Sequence, residues 1–183
     1  MKKGLEGNQY LADIVLQFRT LKDLAEKAMA QVSEDSFFKV ISEVSNSIGI
    51  IVKHLSGNMR SRWRDFLTTD GEKPDRNRDY EFIRENGDTR DTIMQKWEQG
   101  WSHLFEALAT IESEDLGRTV YVRSEPHSVM EAIHRQLTHY AYHVGQIVYL
   151  ARHFAGDKWL TLSVPRGKSE AFNEIMRHKW KKN

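Results

Sequence analysis

His139-Tyr140-Ala141-Tyr142-His143-Val144-Gly145-Gln146 lies inside a proline-free run, residues 131–154, whose apolar positions recur with helical spacing. At about 100° per residue, His139 and His143 sit one turn apart and about 40° from each other on the helix surface. Gln146 falls on the same stripe, because seven residues nearly complete two turns. Two imidazoles at i and i+4 can share one divalent ion, but two ligands rarely make a site, so a third has to come from elsewhere in the chain.

The apolar patterning supplies further helices. Leu11, Ile14, Val15, Phe18, Leu21, Ala25 and Ala28 mark a core-facing helix over residues 8–31. Ser45, Asn46 and Ser47 offer N-caps for a second, expected to run from Ile48 to Leu67. Asp88 or Thr89 can cap a third, whose stripe is Ile93, Trp97, Trp101, Leu104, Leu108 and Ile111. The fourth begins near Ser128 and is stopped by Gly156-Asp157. Residues 32–44 are ambiguous between a short helix and a structured connection. The strand-like alternation of Thr119-Val120-Tyr121-Val122 suggests an extended arm or a small hairpin. Residues 68–88 are polar, carry Gly71, Pro74 and Gly87, and read as an exposed, weakly protected connection with a short element at 80–83. A short last helix is expected over residues 169–178, followed by a solvated basic end at Lys179, Lys181 and Lys182.

Composition sets outer bounds. The chain has 183 residues, 39% hydrophobic and 29% charged, which suits one soluble domain over residues 1–183. A formal charge of +1 gives no overall pull toward nucleic acid or a membrane surface. Cysteine is absent, which excludes disulfides, thiolate metal sites and cysteine nucleophiles and fits a reducing compartment. The basic start Met1-Lys2-Lys3 is followed by Asn8, Gln9 and Asp13, which interrupt any apolar leader, and no apolar run approaches the ~20 residues needed to span a bilayer. An all-α, cytoplasmic protein is expected.

Four amphipathic segments point to a four-helix bundle, whose sites are built on inward faces. On the second helix His54 projects from the apolar side, one turn beyond Ile50 and Ile51. Taken alone it reads as a hydrogen-bonded core histidine; taken with His139 and His143 it completes three imidazoles, an arrangement that leaves a coordination position open. Asn58 and Arg62 continue the His54 stripe. Gln146 can orient a bound group or simply bond a neighbouring helix, and Gly145 suggests close approach of another backbone. His103, His134 and His153 lie off the stripe, His127 near the fourth helix's cap, and Trp97 and Trp101 read as core.

With these residues in place, Asn46-Ser-Ile-Gly-Ile-Ile-Val-Lys-His54-Leu followed downstream by His139-x-x-x-His143-x-Gly145-Gln146 resembles the DinB-like (YfiT-like) superfamily. The segment from Trp159 to Asn173 looks like a little-characterised bacterial branch of it. The resemblance covers roughly residues 9–173. It implies a four-helix bundle with long crossover connections and a short C-terminal helix, a homodimer, and one divalent ion on His54, His139 and His143. Zinc or nickel leads, with iron and copper as alternatives. Members of known chemistry include low-molecular-weight-thiol transferases and isomerases, and others are described as hydrolases. A small-molecule substrate, a thiol among the candidates, is therefore expected, with neither nucleic acid nor membrane as partner. Gln146, Asn58 and Arg62 are the candidates to support the ion or the substrate, and no general base is marked. A non-catalytic dimeric stress or binding protein with a structural or vestigial metal is the alternative.

Overall fold

A computed structural model describes residues 2–181, with side chains from residue 6 onward. Met1 and Lys182, part of the basic ends noted above, lie outside the described residues. The described chain is mostly helical, with one two-stranded sheet. The helices are α1 (Lys2–Met29), α2 (Glu34–Phe38), α3 (Ile48–Trp63), α4 (Arg90–Ala109), α5 (Val129–Ala155) and α6 (Ser169–Trp180), and the strands β1 (Thr119–Val122) and β2 (Glu125–Ser128) lie between α4 and α5. Among the described residues no helix is long and apolar enough to cross a membrane.

Helix starts follow the capping chemistry. Ser47 Oγ accepts the Ile50 amide, Thr89 forms a capping box with Thr92, and Ser128 forms one with Glu131. Two boundaries depart: α1 begins at Lys2, ahead of the expected residue 8, and α3 ends early. α3 stops at Trp63 rather than Leu67, because Asp65 takes the left-handed region (φ 50°) and turns the chain.

α3 packs along α4, α1 along α5, and α3 against α5. Between them Phe18 meets Trp63 and Tyr140, each 5.9 Å away, and Trp97 and Trp101 are fully buried. Tyr140 reconciles this core with polar neighbours: Trp63 Nε1 donates to its hydroxyl (3.0 Å), which donates to Asn58 Oδ1 (3.1 Å). The close helix approach belongs to Gly100, where a Cβ would lie 3.3 Å from Ser56 Cα; Gly145 has no heavy atom within 4 Å of its Cβ position and faces open space.

The connection between α3 and α4 is exposed over most of its length, as expected, but a few of its residues turn inward. Gly71, Lys73, Glu81 and Asp88 are buried in it, and a 3-10 turn occupies Asp79–Phe82. Several of its polar groups bond α3. Lys53 Nζ bonds Asp88 Oδ2 (2.6 Å), Glu85 Oε2 (2.8 Å) and the Ile83 carbonyl (2.8 Å). Ser61 Oγ donates to the Gly71 carbonyl (2.7 Å), and Arg62 bonds the same carbonyl and Glu72. α3 can therefore bury Lys53, His54, Asn58 and Arg62 together, since each polar group has a partner. The β1–β2 hairpin is tied to the same segment: Asp70 accepts the turn amides of Arg123 (2.8 Å) and Ser124 (2.7 Å).

Candidate metal centre

α3 and α5 bring His54, His139 and His143 together. One ring nitrogen from each lies within 4.8 Å of the others, with His54 buried and the other two half-buried. The ring centroids of His139 and His143 are 4.7 Å apart, as one helical turn requires, and that of His54 is 5.4 and 5.0 Å from them.

The outer contacts fix the protons. His54 Nδ1 donates to Glu81 Oε2 at 2.8 Å, an assignment that follows because an ionised carboxylate only accepts. Neutral His54 therefore presents a lone pair on Nε2, and that atom lies 3.4 Å from His139 Nε2. His143 Nδ1 donates to Gln146 Oε1 at 2.7 Å, which likewise leaves Nε2 as a lone pair. Lone pairs converging at this range repel unless a proton or cation lies between them. Two nitrogens bound to one tetrahedral zinc would sit about 3.4 Å apart, which the His54–His139 pair matches, and all three lie close enough to hold one ion. An all-imidazole donor set suits zinc, nickel, copper or iron.

Electrostatics favour the neutral form of His139 and His143. Burial, then repulsion from His143, His54, Arg76 and Arg62, pushes His139 down to about 3. Burial also lowers His143, with His54 adding to the effect and the Gln146 bond opposing it. Glu81 stays below the ordinary carboxylate range: burial pushes it up, but hydrogen bonds from His54 and Arg76 outweigh that. Arg76 holds both of its oxygens, Nε to Oε1 at 2.9 Å and Nη2 to Oε2 at 3.0 Å. A carboxylate bonded to a ligand histidine's far nitrogen is the usual outer support of such centres.

Glu81 and Arg76 are the residues that sequence reasoning missed. A signal for them existed in Gly57, one turn beyond His54 and inside a helix. A Cβ there would overlap Glu81 Oε1 and stand 2.7 Å from Glu81 Cδ. The other candidates are placed as follows. Gln146 supports His143, Asn58 accepts from Tyr140, and the Arg62 guanidinium is engaged by Gly71 and Glu72. His134 packs edge-on against Tyr10, His127 lies in β2, and His103 lines a cleft between α3 and α4, all apart from the three-histidine group.

The lowered His139 and His143 predict an acid response of the metal-free protein. The unfolded chain binds protons near the ordinary histidine value of 6.5, while folded His139 resists them down to about 3. Within that window the unfolded state holds more protons, so folding stability falls as pH falls. Denaturant midpoints measured from pH 7 to 4 should show this decline, and His139→Gln should reduce it.

A family model described as "Protein of unknown function (DUF1572)" matches residues 6–168. No curated protein and no solved structure gives a significant match.

Proposed function

Since the chain belongs to the family described as Protein of unknown function (DUF1572), we propose that it is a DinB-like metal-dependent enzyme. The proposed scaffold is a four-helix bundle of α1, α3, α4 and α5, and the proposed setting is cytoplasmic. His54, His139 and His143 hold one divalent ion, zinc or nickel first. The reaction is hydrolysis or transfer of a low-molecular-weight thiol. The observation that carries this reading is the convergence of three ring nitrogens within 4.8 Å, with two far nitrogens committed to Glu81 and Gln146. Three protein ligands and no thiolate are the pattern of centres that keep a position for substrate.

A bound divalent ion supplies Lewis acidity, which lowers the pKa of water or a thiol toward neutrality and polarises an acceptor carbonyl. The chain's own residues set that up. Imidazole ligands carry no negative charge, so the ion's charge is not offset, and burial favours the neutral form of His139 and His143. Glu81 holds the Nδ1 proton of His54, and Gln146 Oε1 accepts that of His143 and fixes its ring.

The test uses untagged protein as purified. Elemental analysis should find about one transition metal per chain. Ester hydrolysis or thiol transfer to an electrophile should stop on chelation and return with metal. Metal bound without metal-dependent turnover of either kind would favour the binding-protein alternative, and absence of metal would remove both.

We also propose a homodimer. Val44, Tyr142 and Tyr149 line one cleft of about 480 Å3 and are 97%, 64% and 69% exposed. An aromatic patch of this kind suits a symmetric contact. Sedimentation equilibrium at micromolar concentration should give a dimer, and Tyr149→Asp should shift it toward monomer; a parent that is monomeric throughout rejects the assembly.

A further inference from the structure

We propose that the cleft between α3 and α4 is a second binding site, for a small phosphate-bearing molecule, separate from the three histidines. The cleft measures about 370 Å3. Lys53, Gly57 and Arg60 border it from α3, each three or four residues after the last, so one helix face is turned toward it, and Arg64 adds to it just past the helix end. Lys96, Gln99, Gly100 and His103 do the same from α4, and Asp75, Arg76, Tyr80 and Glu81 close it from the connection. At Gly57 the Glu81 side chain, and at Gly100 the packing of α3, take the space a Cβ would fill.

The lining carries more basic than acidic groups, with Asp88 and Glu85 behind it pairing Lys53 and Lys96. Five lining residues are basic (Lys53, Arg60, Arg64, Arg76, Lys96) and two are acidic (Asp75, Glu81). Lys53 and Arg76 are structural, with side chains 8% and 4% exposed and bonded to buried carboxylates. The other three reach solvent, at 56% for Arg60, 33% for Arg64 and 48% for Lys96. Asp75 braces the two guanidiniums side by side: its Oδ2 accepts from Arg60 (2.6 Å) and Arg64 (3.0 Å), and its Oδ1 from Arg64 (2.6 Å). Across the cleft Lys96 has one long contact, 3.3 Å to Asp88. Gathering cations in a concave surface raises the local potential, and an anion relieves it. The guanidinium N–H groups that Asp75 leaves free, with the Lys96 ammonium on the opposite wall, offer several separated donors, which suit the several oxygens of a phosphate better than one flat carboxylate. This site stands whether or not the histidines hold a metal, although Glu81 belongs to both walls.

The probes are inorganic phosphate and phenyl phosphate, with benzoate as the carboxylate counterpart. They are titrated into the metal-loaded full chain at fixed ionic strength and followed by calorimetry and amide chemical shifts. Saturable phosphate binding is expected, with the largest shifts on α3 and α4 around Arg60 and Lys96. Arg60→Gln and Lys96→Gln should each weaken it about tenfold, equivalent to about 1.4 kcal/mol, while Lys27→Gln leaves it unchanged. Benzoate should bind more weakly than phenyl phosphate. Chelated protein should bind phosphate as the loaded form does. Non-saturable binding, or binding indifferent to Arg60→Gln and Lys96→Gln, overturns the proposal. So does binding that disappears on chelation or in His139→Ala, which would place the anion at the metal centre instead.

Discussion

His54→Ala, His139→Ala and His143→Ala are each expected to lose most of the bound metal, while His103→Ala and His153→Ala retain it. The three ligand nitrogens lie within 4.8 Å of one another, so each variant removes a third of the donor set. His103 and His153 lie outside it. Folding stability should move in parallel, because a ligand that binds only the folded chain stabilises it by mass action. At a free concentration 100 times its dissociation constant the gain is about 2.7 kcal/mol. A chelator should therefore lower the melting temperature of the parent by several degrees and barely move the three triad variants. The readouts are elemental analysis after dialysis and thermal unfolding with and without chelator. Full occupancy in His54→Ala would remove the α3 ligand and, with it, the three-histidine centre.

Glu81→Ala should produce the largest loss of stability outside the apolar core. It strips the Arg76 guanidinium, 4% exposed, of its main counter-charge, and Nη1 of that group is already without a hydrogen-bond partner. Leaving one member of a buried ion pair alone costs about 3–5 kcal/mol. The same change frees the His54 ring, and loss of an outer partner of a ligand histidine lowers metal affinity about 10–100-fold. Glu81→Gln separates the two effects, since its amide oxygen can still accept from His54 Nδ1 while the charge facing Arg76 is gone. Gly57→Ala supplies a third comparison. Alanine in a helix interior is worth about 0.5–1 kcal/mol over glycine, yet its Cβ would displace the carboxylate. Weaker metal binding without the usual stability gain is expected. Parent-like unfolding and affinity in Glu81→Ala would show that the carboxylate supports neither the fold nor the centre.

The four long helices were legible because apolar period and caps are local signals. Ser47, Thr89 and Ser128 cap α3, α4 and α5 as their sequence contexts suggest. The approach of His139 to His143 followed from helical geometry, and that of His54 from its place on an apolar face. The bonds of the connection to α3 were not legible. Ion pairing has no period, and Glu81 and Asp88 stand 27 and 35 positions from the α3 residues they bond. A polar stretch folded against buried lysine and histidine therefore reads the same as one exposed to water. Glycine misled for a related reason: Gly145 and Gly57 look alike in a helix, and only the neighbour brought by the connection gives Gly57 its role.

That pairing also constrains the order in which the chain can fold. Desolvating Lys53, His54 or Arg62 before their partners arrive would leave charge or unmet hydrogen bonds in a dry interior. Burial of the polar groups of α3 is consequently coupled to docking of residues 64–89. Closing loops of this length precedes the reward from the contacts they bring, so the most polar part of the chain adds its own entropic cost to folding.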